Sequence, residues 1–212
     1  VLSALGDNFI YLLTDGQAAA VIDPGDATPV LAALEAQGLT LSHVLVTHGH
    51  GDHTAGCATL VERTGCRVLG PADRRIPVLD RSCADGDCVE AAGACFRVLH
   101  VPGHTRSHIA FHEATTGWLF SGDTLFAGGC GRIMEADAAT LWSSLLRLQA
   151  LPGSTRLGPG HDYTVENLEF ALSLEPGNGD VQARLAQFRA IGTDPIRCPS
   201  NLALECATNP FL

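Results

Sequence analysis

Short apolar runs separated by turn residues dominate the first two thirds of the chain. Phe9–Leu13 and Ala18–Ile22 are rich in strand-forming residues and flank Asp15-Gly16, a pair typical of hairpin turns. A third run, His43–Val46, ends abruptly in the polar stretch 47–53. The pattern therefore predicts buried strands that end in polar loops.

Helices alternate with these strands. Thr28 can cap a helix that ends at Gly38, and a second predicted helix, Thr54–Thr64, is closed by Gly65. Further strands are predicted at Cys66–Leu69, Phe96–Val101, Ile109–His112 and Trp118–Phe120, and a short apolar run covers Thr155–Leu157.

After residue 137 the spacing of apolar positions becomes helical. Two stripes have the spacing of one helix face: Leu141, Leu145 and Leu148, and then Val181, Leu185 and Phe188. Thr164 can cap a helix through Leu174, and one short helix is predicted in a tail punctuated by Pro195, Pro199 and Pro210. Strands first and helices last predict an α/β sandwich, residues 1–163, followed by a small helical domain, residues 164–212.

Composition narrows the class of protein. The chain has 212 residues, 46% hydrophobic and 17% charged, which is typical of a globular protein. No apolar run approaches the ~20 residues of a membrane span, and no signal peptide is visible at the start. The eight cysteines include no C-x-x-C pair, so we expect reduced thiols, no structural zinc ribbon and a cytoplasmic location without a membrane partner.

The net charge of −10 comes with 13 arginines and no lysine. An acidic chain is a poor partner for nucleic acid, and without lysine neither a Walker-type phosphate loop nor Schiff-base chemistry is available. An anionic substrate would have to be held by a few locally placed arginines.

The strongest chemical signal is the segment His48-Gly49-His50-Gly51-Asp52-His53, directly after an apolar strand. Two histidines spaced by two in an extended loop point the same way, so both can reach one metal ion. Asp52 and His53 stand where the next helix begins and can turn towards a second ion. A surface loop would rarely concentrate three imidazoles and a carboxylate so tightly.

Three later segments supply ligands of the same kinds. His104, Asp123 and His161 each follow a predicted strand or apolar run and have glycine beside them. With the first segment they make seven nitrogen and oxygen ligands, which suit borderline metals.

The order of these motifs resembles the metallo-β-lactamase superfamily, and their surroundings resemble the glyoxalase II family. The similar segments are Asp7–Tyr11, Phe120–Phe126, Gly129–Arg132, His161–Thr164, Glu175–Asn178 and Asn209–Phe211. The resemblance covers nearly the whole chain and implies a four-layer αββα sandwich with a small C-terminal helical domain.

The resemblance also implies the roles of individual residues. One metal would be held by His48, His50 and His104, a second by Asp52, His53 and His161, with Asp123 bridging both. The ions would be two divalent metals, zinc first, with iron and manganese as alternatives. Asp52 and Asp123 would be catalytic, and Arg132 and Tyr163 would contact glutathione.

The expected reaction is hydrolysis of S-D-lactoylglutathione, or a related 2-hydroxyacylglutathione, to D-lactate and glutathione by a metal-activated water. The expected partner is this small thioester alone, and the protein is expected to be a monomer or weak oligomer. Many family members hold the glutathione carboxylate with basic residues that would follow Leu212, and Met134 stands where an aromatic residue is common.

Other histidines and one aspartate have smaller roles in this interpretation. His108 is expected to pack or to form a hydrogen bond, and Asp23 either orients a metal ligand or forms a turn. His43, His100 and His112 lack any motif and are expected to be structural or exposed.

Three rival functions stay open. A persulfide dioxygenase of the same fold would use one iron and constrain Asp52, His53 and His161 less. A nuclease is disfavoured by the acidic charge. A non-catalytic metal-binding or scaffolding protein would be expected to have lost a ligand, whereas all seven are present.

Overall fold

The computed structural model describes residues 1–191 and 200–212, which form two six-stranded sheets and a short separate hairpin. The strands of the first sheet lie in chain order: β1 (Leu2–Ala4), β2 (Asn8–Thr14), β3 (Ala18–Ile22), β4 (Thr40–Leu45), β5 (Arg67–Gly70) and β6 (Leu79–Ser82). β1–β3 pair antiparallel and β3–β6 pair parallel, because helices connect β3 to β4 and β4 to β5.

The second sheet is mixed. Its strands are β7 (Cys88–Ala91), β8 (Ala94–His100), β9 (Ile109–Glu113), β10 (Trp118–Gly122), β13 (Arg156–Pro159) and β14 (Ser200–Asn201). Their spatial order is β14-β13-β10-β9-β8-β7, and β10 and β13 are the parallel pair. β11 (Leu125–Phe126) and β12 (Gly129–Cys130) form the separate hairpin.

Seven helices lie within the described residues. They are α1 (Ala27–Gln37), α2 (Gly51–Thr54), α3 (Cys57–Thr64), α4 (Ala138–Gln149), α5 (Thr164–Leu174), α6 (Gly179–Ile191) and α7 (Leu202–Thr208).

Alternation along the strands builds the layers. On β2, Phe9 and Tyr11 enter the core between the two sheets, where they meet Phe111 and Phe120 of the second sheet. Ile10, between them, faces the opposite way, into the core under α1 and α3. One strand thus contributes to two cores.

Helices cover both outer faces. α1 and α3 bury Val30, Leu34 and Leu60 against the first sheet, and α4 and α7 bury their apolar stripes against the second. The predicted four-layer αββα sandwich is therefore confirmed. α5 and α6 pack on each other around Leu168 and Leu185, as a helical unit at the end of the chain.

Helix starts differ in detail from the prediction. The side chain of Asp26, not Thr28, caps α1 by accepting a hydrogen bond from the Thr28 amide at 2.8 Å. The helix expected over 54–64 is interrupted between the end of α2 at Thr54 and the start of α3 at Cys57. At this break Gly56 lies close against the Pro24 carbonyl oxygen and donates its amide to it at 2.9 Å. α5 begins at Thr164 without a side-chain cap.

All four strands at the sheet edges were missed by the hydrophobic pattern. β1, β6, β7 and β14 each pair on one side only, and β6 is almost wholly exposed. An edge strand needs fewer buried positions, so it leaves a weak apolar signal.

The expectation that all cysteines are reduced was wrong for one pair. Cys88 on β7 and Cys95 on β8 form a disulfide, because the hairpin register makes them diagonal neighbours with Cα atoms 5.9 Å apart. The free cysteines within the described residues are Cys57, Cys66, Cys83, Cys130 and Cys206. Cys198, Pro195 and Pro199 lie outside the described residues. No helix in the described parts of the chain is long and apolar enough to cross a membrane.

Candidate metal centre

The sequence-predicted ligands meet where strands of both sheets end. His48 follows β4, His104 follows β8, Asp123 follows β10 and His161 follows β13. Loops at strand ends are free of ladder hydrogen bonds, so their side chains can converge. The structure brings all seven candidate ligands into one cluster.

The first group consists of His48, His50 and His104. His50 Nδ1 lies 3.1 Å from His48 Nε2 and 3.0 Å from His104 Nε2. His104 Nδ1 donates to the carbonyl oxygen of Arg132 at 2.9 Å, so the Nε2 of a neutral His104 carries a lone pair. The three rings therefore direct ring nitrogens at one point.

The second group consists of Asp52, His53 and His161. His53 Nε2 lies 3.2 Å from His161 Nε2, and Asp52 Oδ2 is 3.5 and 3.3 Å from these two atoms. Asp52 is the exposed member, with 40% of its side chain accessible. Asp52 and His53 belong to α2, whose first turn aims both at the cavity.

Asp123 lies between the two groups. Its Oδ2 is 3.4 Å from His104 Nε2 and 3.3 Å from His161 Nε2, and its Oδ1 is 3.4 Å from His53 Nε2. Oδ1 is buried and has no hydrogen-bond partner within residues 1–191 and 200–212. A buried carboxylate oxygen without a partner is costly, so this atom calls for a ligand.

Two glycines let the backbone approach this carboxylate. A Cβ on Gly160 would lie 2.3 Å from Asp123 Oδ1, and one on Gly131 would lie 1.8 Å from the Asp123 carbonyl oxygen. Neither position has room for a side chain unless Asp123 moves. Gly131 and Gly160 thus have a steric role beside Asp123, whereas a Cβ on Gly51 would meet nothing within 4 Å.

Residues behind the ligands fix their orientation. Asp23 accepts hydrogen bonds from the Thr47 amide (2.7 Å), the Thr47 hydroxyl (2.6 Å) and His53 Nδ1 (3.1 Å). These contacts support the orienting role of Asp23, and the Gly25 amide also donates to the Asp23 carbonyl oxygen at 2.9 Å in a turn, so the two roles coexist. His108, fully buried, accepts the Asp123 amide hydrogen at Nε2 and stacks on His48 with ring centroids 4.7 Å apart, as a hydrogen-bonding and packing residue.

Asp7 and Asn8 are site residues for which the sequence analysis predicted no role. Asp7 Oδ1 accepts from His161 Nδ1 at 3.0 Å, and Asn8 Nδ2 donates to Asp52 Oδ2 at 3.2 Å. The available signal was an adjacent carboxylate and amide immediately before a strand, which is too common to assign alone. Only the pairing of this segment with residue 161 reveals its position.

The protonation equilibria of the cluster favour positive charge at its centre. Burial opposes protonation of His53, but Asp123 and Asp23 outweigh it and raise its pKa well above the usual value. Burial likewise opposes protonation of His161, yet hydrogen bonds to Asp123 and Asp52 raise its pKa to about 10. Burial lowers the pKa of His48 well below its usual value.

The donor set fits divalent metal ions. In their neutral forms the hydrogen bonds made by Nδ1 of His53 and His161, to Asp23 and Asp7, leave both Nε2 lone pairs facing inward. The same holds for His104, and two carboxylates add negative charge. Inward lone pairs on neutral imidazoles, together with two carboxylates, match the ligands of a borderline cation.

A cavity of about 530 Å³ opens over this cluster. Its walls include Phe126, Cys130, Arg132, Tyr163, Glu166 and Asn167. Tyr163 stacks on the His161 ring with centroids 5.0 Å apart, and burial raises the pKa of its phenol. The two predicted substrate contacts, Arg132 and Tyr163, thus border the same cavity as the candidate ligands.

Sequence comparison defines the class of protein. The family model of the metallo-β-lactamase superfamily matches residues 4–82 and 84–161, and that of the hydroxyacylglutathione hydrolase C-terminus matches residues 162–212. The chain therefore belongs to the metallo-β-lactamase superfamily. Within that superfamily it is a member of the hydroxyacylglutathione hydrolase (glyoxalase II) family.

Close relatives extend over the whole chain. A hydroxyacylglutathione hydrolase of Ectopseudomonas mendocina is 51% identical over 215 residues, and one of Methylococcus capsulatus is 46% identical over 216 residues. Both alignments cover 100% of this chain and 84% of the relative.

Solved structures share the fold at lower identity. TTHA1623, crystallised in a di-iron-bound form, is 29% identical with a TM-score of 0.74 and covers 100% of this chain and 98% of its own. ETHE1 from Myxococcus xanthus is 28% identical with a TM-score of 0.69, over 98% and 97% of the two chains.

Proposed function

We propose that the protein is a binuclear metal-dependent thioester hydrolase that converts S-D-lactoylglutathione, or a related S-2-hydroxyacylglutathione, to D-lactate and glutathione. The observation that carries the proposal is Asp123, whose buried Oδ1 lacks a partner within the described residues and lies between two sets of ligand atoms. Membership of the family supports the substrate class, because full-length relatives about half identical to this chain bear that name.

In this proposal His48, His50 and His104 hold one ion, Asp52, His53 and His161 hold the other, and Asp123 bridges them. Zinc is the proposed metal, since imidazole and carboxylate suit it, with iron and manganese as alternatives. Two such cations would supply Lewis acidity and a nucleophilic water at neutral pH.

The remaining roles belong to side chains around the cavity. Asp52 and Asp123 are the proposed catalytic carboxylates, and Arg132 and Tyr163 are the proposed glutathione contacts. The leaving group is a thiolate, which departs without a strong general acid, so no further acid is required.

The organisation of the chain follows from these roles. We assign residues 1–163 to catalysis and residues 164–212 to a mainly helical region that contributes to substrate binding, since Glu166 and Asn167 of α5 line the cavity. Within this region β14 and α7 pack as part of the sandwich. We also propose a monomer or weak oligomer in the cytoplasm, where glutathione is abundant. Disulfides are rare in a reducing cytoplasm, and the structure contains one between Cys88 and Cys95. Thiol labelling of protein from the cytoplasm is therefore the direct test of that location.

The decisive experiment measures thioester cleavage and metal content together. We expect the protein with two metal ions per chain to hydrolyse S-D-lactoylglutathione faster than other thioesters. Oxygen uptake with glutathione persulfide is the matched arm, because a dioxygenase would consume oxygen with one iron per chain. Oxygen uptake without thioester cleavage, or full activity with one ion, would overturn the proposal.

A further inference from the structure

Two charged side chains of opposite sign border the cavity and have no partner among the described residues. Arg132 follows β12, and Glu166 lies in the first turn of α5, three residues after Tyr163. Both are exposed, and no residue within 1–191 or 200–212 forms a hydrogen bond or ion pair with the Arg132 guanidinium or the Glu166 carboxylate.

Two other acids in this part of the molecule, exposed Glu169 and half-buried Glu135, are paired. Glu169, three residues further along α5, binds Arg189 at 2.5 Å, and Glu135, shortly after Arg132 in the chain, binds Arg75 at 2.5 Å. Arg132 and Glu166 thus differ from these neighbours in lacking a partner and in facing the cavity.

We propose that Glu166 determines substrate specificity by binding the α-ammonium group of the glutathione moiety, while Arg132 binds a carboxylate of the same molecule. This inference rests on the proposed function. An acyl-glutathione carries one ammonium group and two carboxylates. A protein with net charge −10 repels these carboxylates, so a cation on the cavity wall is needed to bind one of them. A further acid on the wall favours binding only if it meets the ammonium group.

A structural role for Glu166 predicts different behaviour. An acid in the first turn of a helix is stabilised by the positive end of the helix dipole, whatever occupies the cavity. Replacement of such an acid would lower the melting temperature slightly and leave KM unchanged. A substrate contact would instead change KM in a way that depends on the charge of the substrate amino group.

The test is Glu166→Gln assayed with S-D-lactoylglutathione and with its N-acetylated analogue, which lacks the ammonium group. Replacement should raise KM for the natural thioester by roughly 3- to 10-fold with kcat unchanged, the range of a partly solvated ion pair. With the N-acetylated analogue, KM of the variant should equal or fall below that of the wild type, because an unfavourable charge is removed. Glu169→Gln, on the same helix, is the matched control and should change neither KM.

A binding arm separates this inference from the proposed function. Calorimetry with S-methylglutathione and N-acetyl-S-methylglutathione measures affinity without turnover. The wild type should prefer the free amine, and Glu166→Gln should remove the preference. If the wild type binds with this preference but cleaves no thioester, the hydrolase proposal fails and the Glu166 contact stands. If Glu166→Gln affects both members of each pair equally, or neither, the Glu166 proposal is overturned.

Discussion

The molecule contains two buried polar clusters that solve the problem of buried charge in different ways. One is the candidate metal centre around Asp123. The other lies in the C-terminal helices, where Glu205, fully buried, binds Arg184 of α6 at 2.6 Å and the Gly128 amide at 2.7 Å. Asn209 and Ser200 also donate to Glu205.

The two clusters differ in whether the oxygens of their buried carboxylates accept hydrogen bonds. Both carboxylate oxygens of Glu205 accept hydrogen bonds from the protein itself, whereas Asp123 Oδ1 has no partner in the described part of the chain. In the first cluster the close contacts join nitrogen to nitrogen, as between His48 and His50. Arg184 Nε also lacks a partner within the described residues, so the difference lies in the carboxylates. A buried carboxylate whose oxygens are both paired by the protein holds the fold, and one with an unpaired oxygen is built for a ligand.

The largest effect should follow removal of the bridging charge. Asp123→Asn should lower the rate of hydrolysis by more than about 10³-fold, because several kcal/mol of charge stabilisation are lost. Metal content should fall to one ion per chain or fewer, as measured by elemental analysis, while the fold remains. Two ions and normal turnover in this variant would contradict the bridging role.

Disrupting the cluster around Glu205 should instead lower stability and leave the metal content unchanged. Glu205→Gln leaves Arg184 buried without its counter-charge and should lower the free energy of unfolding by about 3–5 kcal/mol. Metal content of the folded fraction should stay at two ions. Glu169→Gln, which breaks an exposed pair, is the control and should cost less than about 1 kcal/mol. Similar costs for the two variants in urea denaturation would refute the contrast.

A smaller effect is expected one layer behind the ligands. Asp7→Asn weakens the hydrogen bond that orients His161, so metal affinity should fall by roughly 10-fold, the low end for such partners, because Asp7 is 46% exposed. Metal titration against a competing chelator measures this loss. Asp162→Asn, which changes a neighbouring acid whose carboxylate accepts from Thr164 and from no other described residue, should leave the affinity unchanged.

The smallest effect on stability is expected for an ordinary local interaction, the N-cap of a helix. Asp26→Ala removes the N-cap of α1, remote from the C-terminal cluster, and should cost about 1 kcal/mol in thermal unfolding. Asp26→Ser should restore most of it, since serine also caps. KM and metal content should not change in either variant.

The sequence predicts the first cluster far better than the second, for a physical reason. Four of its ligands lie within six residues of the chain, so a metal site can be predicted from the sequence alone: His48, His50, Asp52 and His53. Arg184 stands next to Leu185 on a helix, where an arginine normally faces solvent. Only packing against residues 16–24 positions away buries it.

The remaining differences also arise from tertiary contacts. The break between α2 and α3 depends on the approach of Gly56 to Pro24, and the disulfide depends on the register of a hairpin whose outer strand has a weak signal. Neither is encoded in hydrophobic periodicity. The four layers were predictable because strand and helix periods are local properties.

The pairing of the start and the end of the sandwich has a consequence for protein synthesis. The Phe9 amide donates to the Gly160 carbonyl at 2.8 Å, and the Asp162 amide donates to Asp7 at 2.9 Å. During synthesis, the N-terminal segment can therefore form these hydrogen bonds only after about 150 further residues have emerged from the ribosome. On the proposed ligand assignment, a growing chain can present His48, His50 and His104 long before His161 exists. On this assignment, the second ion can bind only after β13 and His161 have been synthesised.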